Sequence, residues 1–400
     1  MLRSLITRAL FAARDLAVRS KTSGGSIHRT AARTLAATLP PMLLVACLSA
    51  AAGLLGCGKS GTVTSPAAAV SSRFVIETVA AGAVGGPSLT LDGIGQPCIA
   101  YLDYSNGLTK YATKDTAGWH LVTVATLSPI HPSVNTNSTS VTFGGGSGLL
   151  QCAYAGASWN PETVDPYSSV LSAVTAYDTS RQPWTYYVTG TYYLTAAHRT
   201  YTGNDYRNGV WTTYPAIAGD VSYMDFAVDD QGQRHVAYCN GGDLVNGAKR
   251  RDLFYEGPSG GGTVDTATVG QVSIAIDPQG HPQLCYLRQD GSLMLAAGNG
   301  SNWTISTIAT GVVPPGNPNG EEAAPSLKVD ASGTLHIIYR KCLAPTSLNY
   351  ATKVGSGAWK TEPVGTASSA HSGGLVLDSH GSPHIVLWDG DGVKYARLSQ

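Results

Sequence analysis

The chain has 400 residues with 26 basic and 26 acidic side chains, so its formal charge is balanced. The balance is uneven, because the first 57 residues hold seven of the basic side chains and one acidic side chain, Asp15. The remaining sequence is mildly acidic and has no basic stripe that could neutralise phosphates, which excludes a nucleic-acid partner. It is rich in Gly, Thr, Ser and Tyr, a composition that favours short strands over helices.

An apolar stretch of about 15 residues, from Met42 to Gly56, follows the basic N-terminal region. It is too short to span a bilayer and has the length of a signal-peptide core. Its end, residues 54–57 (LLGC), resembles the lipobox of bacterial lipoproteins, in which the signal is cut before a Cys that receives a lipid. We therefore predict a signal peptide over 1–56, lipidation of Cys57 and a flexible tether over 57–72.

This resemblance implies an exported protein whose membrane contact is the lipid anchor alone. Gly58 at the second mature position indicates the outer membrane or the cell surface. Other interpretations stay open: Cys47 is a second candidate for lipidation, the protein could be secreted without an anchor, and the Arg-rich start also fits an organellar transit peptide.

A repeated hairpin dominates the rest of the chain. Five times an apolar run ends in Asp, a Gly follows three residues later, and a second apolar run ends in an aromatic or aliphatic pair. The five copies are Ser88 to Tyr101, Met224 to Tyr238, Val272 to Tyr286, Pro325 to Tyr339 and Gly373 to Trp388. One such unit cannot bury its own faces, so the copies must stack on one another.

A second pair of strands follows several of these hairpins, and its last strand opens with Trp. Examples are Leu108 to Val124, Ser292 to Ile308 and Ser347 to Val364. A full unit is thus four antiparallel strands in about 50 residues, which is the make-up of a β-propeller blade. We predict an all-β fold with a single propeller over 73–400.

The two ends of the chain complement each other. The last unit finishes at Val393 to Gln400 without its Trp strand, and an orphan strand, Arg73 to Val79, precedes the first unit. We predict that this N-terminal strand completes the last blade and closes the ring, which removes a sheet edge.

The middle of the chain is ambiguous. Thr139 to Tyr154 and Val174 to Tyr187 both look like inner hairpins, but one outer pair, between Tyr192 and Ile217, has to serve both. Ser128 to Asn137 and Ala155 to Ser172 are then predicted as loops. Seven blades are favoured, and six blades with an inserted hairpin remain the alternative.

The segment with Thr113, Asp115, Gly118 and Trp119 resembles the Asp-box repeat of bacterial secreted propellers of the sialidase-like class. The resemblance implies the fold and does not transfer catalysis. Sialidases hold their substrate with three Arg residues, and the inner strands here carry no Arg where they begin, at Ser88, Thr139, Asp225, Val272, Ser326 and Gly374. The blades are also similar to those of fucose-binding propeller lectins, whose pockets combine Arg, Glu and Trp, but the second strands (for example HVAY and HIIY) carry no Arg.

Several residue types recur in the repeats and could suggest metal sites, but structural roles explain them better. Each Asp-x-x-Gly turn offers one carboxylate, too few for calcium, and an Asp that caps its own turn explains the pattern. His235, His281, His336 and His384 recur around a ring that is too wide for one metal. Most of the five downstream cysteines are expected to be small buried hydrophobic residues. We predict no metal, no cofactor and no catalytic residue.

The loops that join the second strand of a blade to the third, and the loops that join one blade to the next, lie on the same rim of a propeller. In this chain these loops hold most of the sequence that does not follow the repeat. We call this the loop rim, and binding residues are often found on such loops. The candidate ligand-binding residues on it are Asp103, Tyr104, Arg288, Asp290, Glu321, His371, Trp388 and Asp389. The favoured function is a monomeric, non-enzymatic binding module for a glycan or a protein. A sialidase-like glycoside hydrolase and a structural or assembly module remain alternatives.

Overall fold

The computed structural model describes residues 73–82, 84–125, 130–135, 140–145, 148–154, 158–166, 169–201, 209–215, 217–245, 248–313, 324–343, 346–365, 371–389 and 391–399. The predicted signal peptide, Cys57 and the tether lie outside these residues. No helix in the described part of the chain is long and apolar enough to cross a membrane.

The described residues form 27 strands and no helix. Their bounds are β1 (Phe74–Ala81), β2 (Val84–Leu91), β3 (Pro97–Asp103), β4 (Leu108–Asp115), β5 (Gly118–Ala125), β6 (Ile130–Asn135), β7 (Ser140–Gly145), β8 (Gly148–Tyr154), β9 (Trp159–Asp165), β10 (Val170–Tyr177), β11 (Pro183–Thr189), β12 (Leu194–Tyr201), β13 (Gly209–Thr213), β14 (Val221–Val228), β15 (Arg234–Val245), β16 (Ala248–Gly257), β17 (Gly260–Ile276), β18 (Pro282–Arg288), β19 (Leu293–Gly298), β20 (Trp303–Ala309), β21 (Ser326–Val329), β22 (Leu335–Lys341), β23 (Ser347–Lys353), β24 (Lys360–Pro363), β25 (His371–Leu377), β26 (Pro383–Asp389) and β27 (Gly392–Leu398).

These strands make seven antiparallel four-stranded blades in a ring, as the sequence predicts. Blades 1, 2 and 3 are β2–β5, β6–β9 and β10–β13, and blade 6 is β21–β24. The long strand β17 is shared: its first part pairs with β16 as the outer strand of blade 4, and its second part pairs with β18 as the inner strand of blade 5. Blade 7 is β25, β26, β27 and β1.

The predicted ring closure is confirmed, because β1 pairs antiparallel with β27 from Phe74 opposite Leu398 to Ala81 opposite Gly392. Two ion pairs fix this strand to both neighbours. Arg73 Nε donates to Glu362 in blade 6 at 2.9 Å, and Glu77 pairs with Lys114 in blade 1.

The core is divided among the interfaces between neighbouring blades. Each of the seven interfaces in the described chain has its own cluster of buried apolar side chains. Strand β3 is buried on both faces, as expected for a strand that packs on two neighbouring blades. Side chains of the inner strands add hydrogen bonds across the interfaces: Ser88 Oγ accepts from the Val134 amide at 3.0 Å, and Ser273 Oγ accepts from the Leu327 amide at 3.1 Å.

The Asp-x-x-Gly turns have the predicted geometry. In the first of them Asp92 Oδ1 accepts from the amides of Ile94 at 3.0 Å and Gln96 at 2.8 Å, and Gly95 has a φ of 81°. The carboxylates are therefore used within the turns. Blade 3 departs from the pattern, because Arg181 takes the position of the Gly at a φ of 58°.

Blade 2 corrects one prediction. The segment from Thr139 to Tyr154 is not an inner hairpin, because β7 and β8 are the second and third strands of the blade. The inner strand is β6, within a segment predicted as a loop, and β9 lies in the other predicted loop. The prediction fails because β6 has a Pro in its centre and is not followed by an Asp-x-x-Gly turn. The Gly run at the β7–β8 turn resembles such a turn and therefore indicates the wrong hairpin.

Candidate functional site

The predicted residues of the loop rim fall into three separate groups. Asp103 accepts two hydrogen bonds from Asn106, at 3.2 Å and 2.9 Å, so its carboxylate closes the β3–β4 turn. Tyr104 is 62% exposed, and its ring lies over Gly85, where a Cβ would come within 2.7 Å of it. Both are available at the surface, and nothing in the described chain joins them to the other candidates.

Arg288 is the last residue of β18, and Asp290 lies in the β18–β19 loop that follows. The guanidinium of Arg288 contacts both oxygens of Asp265, at 2.7 Å and 3.0 Å, and Tyr286 donates to the same carboxylate at 2.6 Å. Burial opposes ionisation of Asp265, but its bonds to Arg288 and Tyr286 outweigh it and lower the pKa. Asp290 Oδ1 accepts from the Ser292 amide at 2.9 Å. The charged groups of Arg288 and Asp290 are therefore engaged in contacts within the protein, with Asp265 of β17 and with the Ser292 amide.

Trp388 and Asp389 end β26. Trp388 packs against the apolar cluster between blades 7 and 1, and Asp389 is buried and pairs with Lys394 at 3.0 Å. His371 begins β25 and is paired in register with Trp388, but its side chain lies outside the described residues. Glu321 is also outside them. The loop rim as a ligand site therefore stays a prediction.

The structure reveals a repeated Asp–His–Tyr contact that links the first three strands of a blade. In blade 4, His235 lies 2.7 Å from the Tyr255 hydroxyl and 3.2 Å from Asp229 Oδ2. Blade 6 repeats it with His336, Tyr350 and Asp330, and blade 7 with His384, Tyr395 and Asp378. Its recurrence in three blades indicates a structural role. His281 does not belong to the set, because it is exposed in its turn and Gln283 bonds Asp277 instead.

Blade 4 departs from the other blades at one position of its third strand. Glu256 is paired with Val236 of the second strand. The other six blades place a small residue at the corresponding pair: Ala112, Cys152, Ala197, Ala296, Ala351 and Ala396. A carboxylate at a position that the fold fills with a small side chain is not required by the fold.

A second departure lies on the same blade. Arg234 begins β15 and pairs with the last residue of the inner strand, Val228. The corresponding residues in the blades where this pair is described are Pro97, Pro183, Pro282, Leu335 and Pro383. The expectation that the second strands carry no Arg is wrong for blade 4, and also for blades 5 and 6, whose second strands contain Arg288 and Arg340. Among the described blades, an Arg at the start of the second strand is found in blade 4.

Glu256 and Arg234 line one groove on the face of blade 4 that meets blade 3. We call it the blade 3–4 groove. It has two compartments, of about 500 Å³ and 430 Å³, and Glu256 and Gly257 border both. It lies at the rim of the Asp-x-x-Gly turns, opposite the loop rim, since the turn residues Gly232 and Gln233 line it.

The first compartment is lined by Tyr238, Phe254, Tyr255 and Glu256 together with Gly257 and Gly260–Gly262. Tyr238 donates to Glu256 Oε1 at 3.0 Å, and its ring stacks on Phe254 with 5.5 Å between centroids. The glycines leave backbone exposed, because a Cβ at Gly260 or Gly262 would meet no atom within 4 Å. This wall of the groove is therefore bare peptide.

The second compartment is lined by Tyr186, Gln233, Arg234, Val236, Glu256 and neighbouring turn residues. The guanidinium of Arg234 lies 3.9 Å from the ring centroid of Trp184, and His198 stacks on the same Trp at 3.9 Å. Burial raises the pKa of Tyr186, and the nearby positive charge of Arg234 opposes that rise. Trp184 thus holds the guanidinium at the groove wall.

The polar side chains that line the groove include one acid, Glu256, and one guanidinium, Arg234. In the part of the chain that the structure describes, no three His, Cys, Asp or Glu side chains come together as a metal site. Arg234 and Glu256 stand out when equivalent positions of the blades are compared. That comparison requires the strand register, which the sequence alone does not determine.

Comparison with known proteins identifies the fold. No protein-family profile matches the chain, and no curated protein matches it. Among solved structures, virginiamycin B lyase from Staphylococcus aureus is similar at 12% identity, with 82% of this chain and 99% of that chain covered and a TM-score of 0.53. An ulvan lyase is similar at 11% identity, with 80% and 94% covered and a TM-score of 0.55. YCF48 from Cyanidioschyzon merolae is similar at 9% identity, with 80% and 98% covered and a TM-score of 0.51. At these identities the likeness shows one thing, that the chain is a β-propeller.

Proposed function

We propose that this protein is a non-enzymatic binding module that holds a glycan in the blade 3–4 groove. The observation that carries the proposal is the double departure from the repeat: Arg234 and Glu256 replace the residues that the fold uses elsewhere, and both line the same groove. Repeat proteins keep structural residues at equivalent positions, so paired exceptions at one cavity favour a ligand site.

The groove offers the groups that a sugar needs. Sugar hydroxyls both donate and accept hydrogen bonds, and the groove provides a carboxylate acceptor in Glu256 and a guanidinium donor in Arg234. The partly exposed ring of Phe254 lies beside these polar groups, and the buried side chains of Tyr186 and Tyr238 border the groove. Oriented polar groups on an aromatic surface are typical of such sites.

Hydrolysis finds less support. A glycosidase needs two carboxyl groups about 5 to 9.5 Å apart across the scissile bond. Among the described residues that line the groove, Glu256 is the one acid. The Asp229–His235–Tyr255 contact resembles a catalytic chain, but Tyr255 is 1% exposed, and blades 6 and 7 repeat the contact outside the groove.

A glycan-array screen of the purified protein tests the proposal. Two variants, Glu256→Ala and Arg234→Leu, carry the residues of blade 6 and should fold normally. We expect each to lose binding of the glycans that the native protein retains. Binding that persists in both variants would contradict the groove as the site, and retention of a protein ligand alone would contradict the glycan.

We also propose that the protein is exported and anchored through a lipid on Cys57 at the outer membrane or cell surface. The support is the apolar stretch followed by the LLGC segment. Metabolic labelling with a fatty-acid analogue should mark the native protein and the Cys47→Ser variant, and should not mark Cys57→Ser. Labelling of Cys57→Ser would remove the support for a lipoprotein.

A further inference from the structure

Glu256 carries a charge that no cationic side chain neutralises among the described residues. Its Oε1 accepts from Tyr238, and no residue in the described chain forms an ion pair with either oxygen. The side chain is half-buried between the compartments of the groove. Partial burial of an unpaired carboxylate is unfavourable, and the small residues of the other six blades avoid it.

The compartment beside Glu256 favours a cation. Its other lining side chains are the rings of Tyr238, Phe254 and Tyr255, and the rest is glycine. Tyr238 and Tyr255 are buried behind this surface, so Phe254 is the ring that a ligand can reach. An aromatic ring and a carboxylate both attract positive charge, so an ammonium would gain from Phe254 and from Glu256. An anionic group would be repelled there, and a neutral hydroxyl would gain one hydrogen bond without removing the unpaired charge.

Arg234 does not supply the missing cation. Its guanidinium lies on the ring of Trp184, in the second compartment, where Tyr186 is its neighbour. That compartment suits hydroxyl or carbonyl oxygens of an adjoining sugar residue, because guanidinium is a donor only. Glu256 borders both compartments and Arg234 lines the second, so the first compartment has the carboxylate without the guanidinium.

We propose that the glycan bound in the blade 3–4 groove carries a protonated amine, as an amino sugar without its acetyl group does, and that this ammonium pairs with Glu256. The inference rests on the glycan-binding function proposed above and adds the class of sugar. An N-acetylated sugar of the same kind has no charge to offer Glu256.

Isothermal titration of the native protein with three oligosaccharides of equal length tests this: a glucosamine oligomer, its N-acetylglucosamine counterpart and a glucose oligomer. At a pH where the amine is protonated, we expect the glucosamine oligomer to bind at least about tenfold more tightly than the other two, which corresponds to about 1.4 kcal/mol. In Glu256→Gln the preference should vanish. Asp115→Asn, which removes one exposed negative charge at the β4–β5 turn of blade 1, should keep it.

The outcomes separate the two proposals. Equal affinity for the three oligomers, or a preference that survives in Glu256→Gln, would overturn the amine and leave glycan binding in place. A lysine oligomer serves as a polycation without sugar; if it binds as tightly as the glucosamine oligomer, glycan recognition itself is overturned. Failure of all three oligosaccharides to bind would overturn both.

Discussion

Blades 4 and 6 are built on the same plan and differ where a ligand would sit. Both join an Asp, a His and a Tyr across three strands with nearly equal distances, 2.7 Å and 2.6 Å between the ring nitrogen and the hydroxyl. Blade 6 has Leu335 and Ala351 where blade 4 has Arg234 and Glu256. Blade 6 therefore shows that the fold forms with Leu and Ala at these two positions, and blade 4 carries two charged residues that the fold does not require.

This comparison separates two kinds of polar residue. The buried histidines recur and have their bonds satisfied inside the blade, so they stabilise it. The charged pair of blade 4 occurs once, has unused bonding capacity and lines a cavity. Exchanging residues between the two blades should expose this difference.

The largest effect should come from moving the carboxylate to blade 6. Ala351 is fully buried, so Ala351→Glu places a charge in the core. We expect a loss of about 3 kcal/mol or more in the free energy of unfolding. Guanidinium denaturation measures it, and a change below about 1 kcal/mol would mean that blade 6 has space for a side chain at this position.

Removal of the shared contact should affect both blades alike. His235→Leu and His336→Leu each remove the partner of a buried Tyr hydroxyl and the His contact of an Asp Oδ2, while Oδ1 of that Asp keeps its bonds in the turn. We expect each to lower the free energy of unfolding by about 2 kcal/mol. A much smaller effect in blade 4 than in blade 6 would show that His235 is not primarily structural, and it would reopen a catalytic role for Tyr255.

The same contacts predict a pH dependence. Burial lowers the pKa of His336 and His384, although Asp330 and Asp378 oppose that shift, and Arg397 adds to it at His384. Because the folded pKa lies below the ordinary value of about 6.5, the folded state binds fewer protons than the unfolded state. Stability should be complete above that value and fall as the pH drops through the folded pKa. Denaturation midpoints between pH 8 and 5 measure this, and His336→Leu should have a shallower slope.

Arg181 offers a smaller test in blade 3. Its positive φ is a strained conformation for a residue with a side chain, and the five blades with an Asp-x-x-Gly turn use Gly there. Arg181→Gly should raise the free energy of unfolding by up to about 1 kcal/mol. Because Arg181 does not line the groove, ligand binding should be unchanged; a loss of binding would extend the site to this turn.

The smallest change in stability should come from the variants that abolish binding. Glu256→Ala gives blade 4 the residue of five other blades. It removes the acceptor of the Tyr238 hydroxyl, but it also removes an unpaired, half-buried carboxylate. Because these two effects oppose each other, we expect the free energy of unfolding to change by no more than about 0.5 kcal/mol. The denaturation curve of this variant should overlay that of the native protein. A large destabilisation would make Glu256 a structural residue and would remove the argument for the groove.

The fold could be predicted from the sequence because its signals are local and repeated. The Asp-x-x-Gly turns mark the inner hairpins, and the unmatched strands at Arg73–Val79 and Val393–Gln400 predict the closure. The predicted strand order of blade 2 is wrong because β6 lacks that turn. The groove could not be predicted, since Arg234 and Glu256 come together only through strand register and the packing of blade 4 on blade 3. The sequence instead favoured the irregular loops, where Arg288 and Asp389 are engaged in ion pairs of their own.

The closure of blade 7 also governs the order of assembly. Phe74 pairs with Leu398, so the first strand of the ring has no partner until the last hairpin exists. During synthesis β1 must wait while the intervening blades form, and its contacts span nearly the whole folded chain, which makes closure a slow step. A pull on the chain ahead of Arg73 would act first on the pairing of β1 with β27, because β1 is the first strand of the ring. The strand pair that completes the ring last is thus also the pair on which tension from the N-terminal side would act.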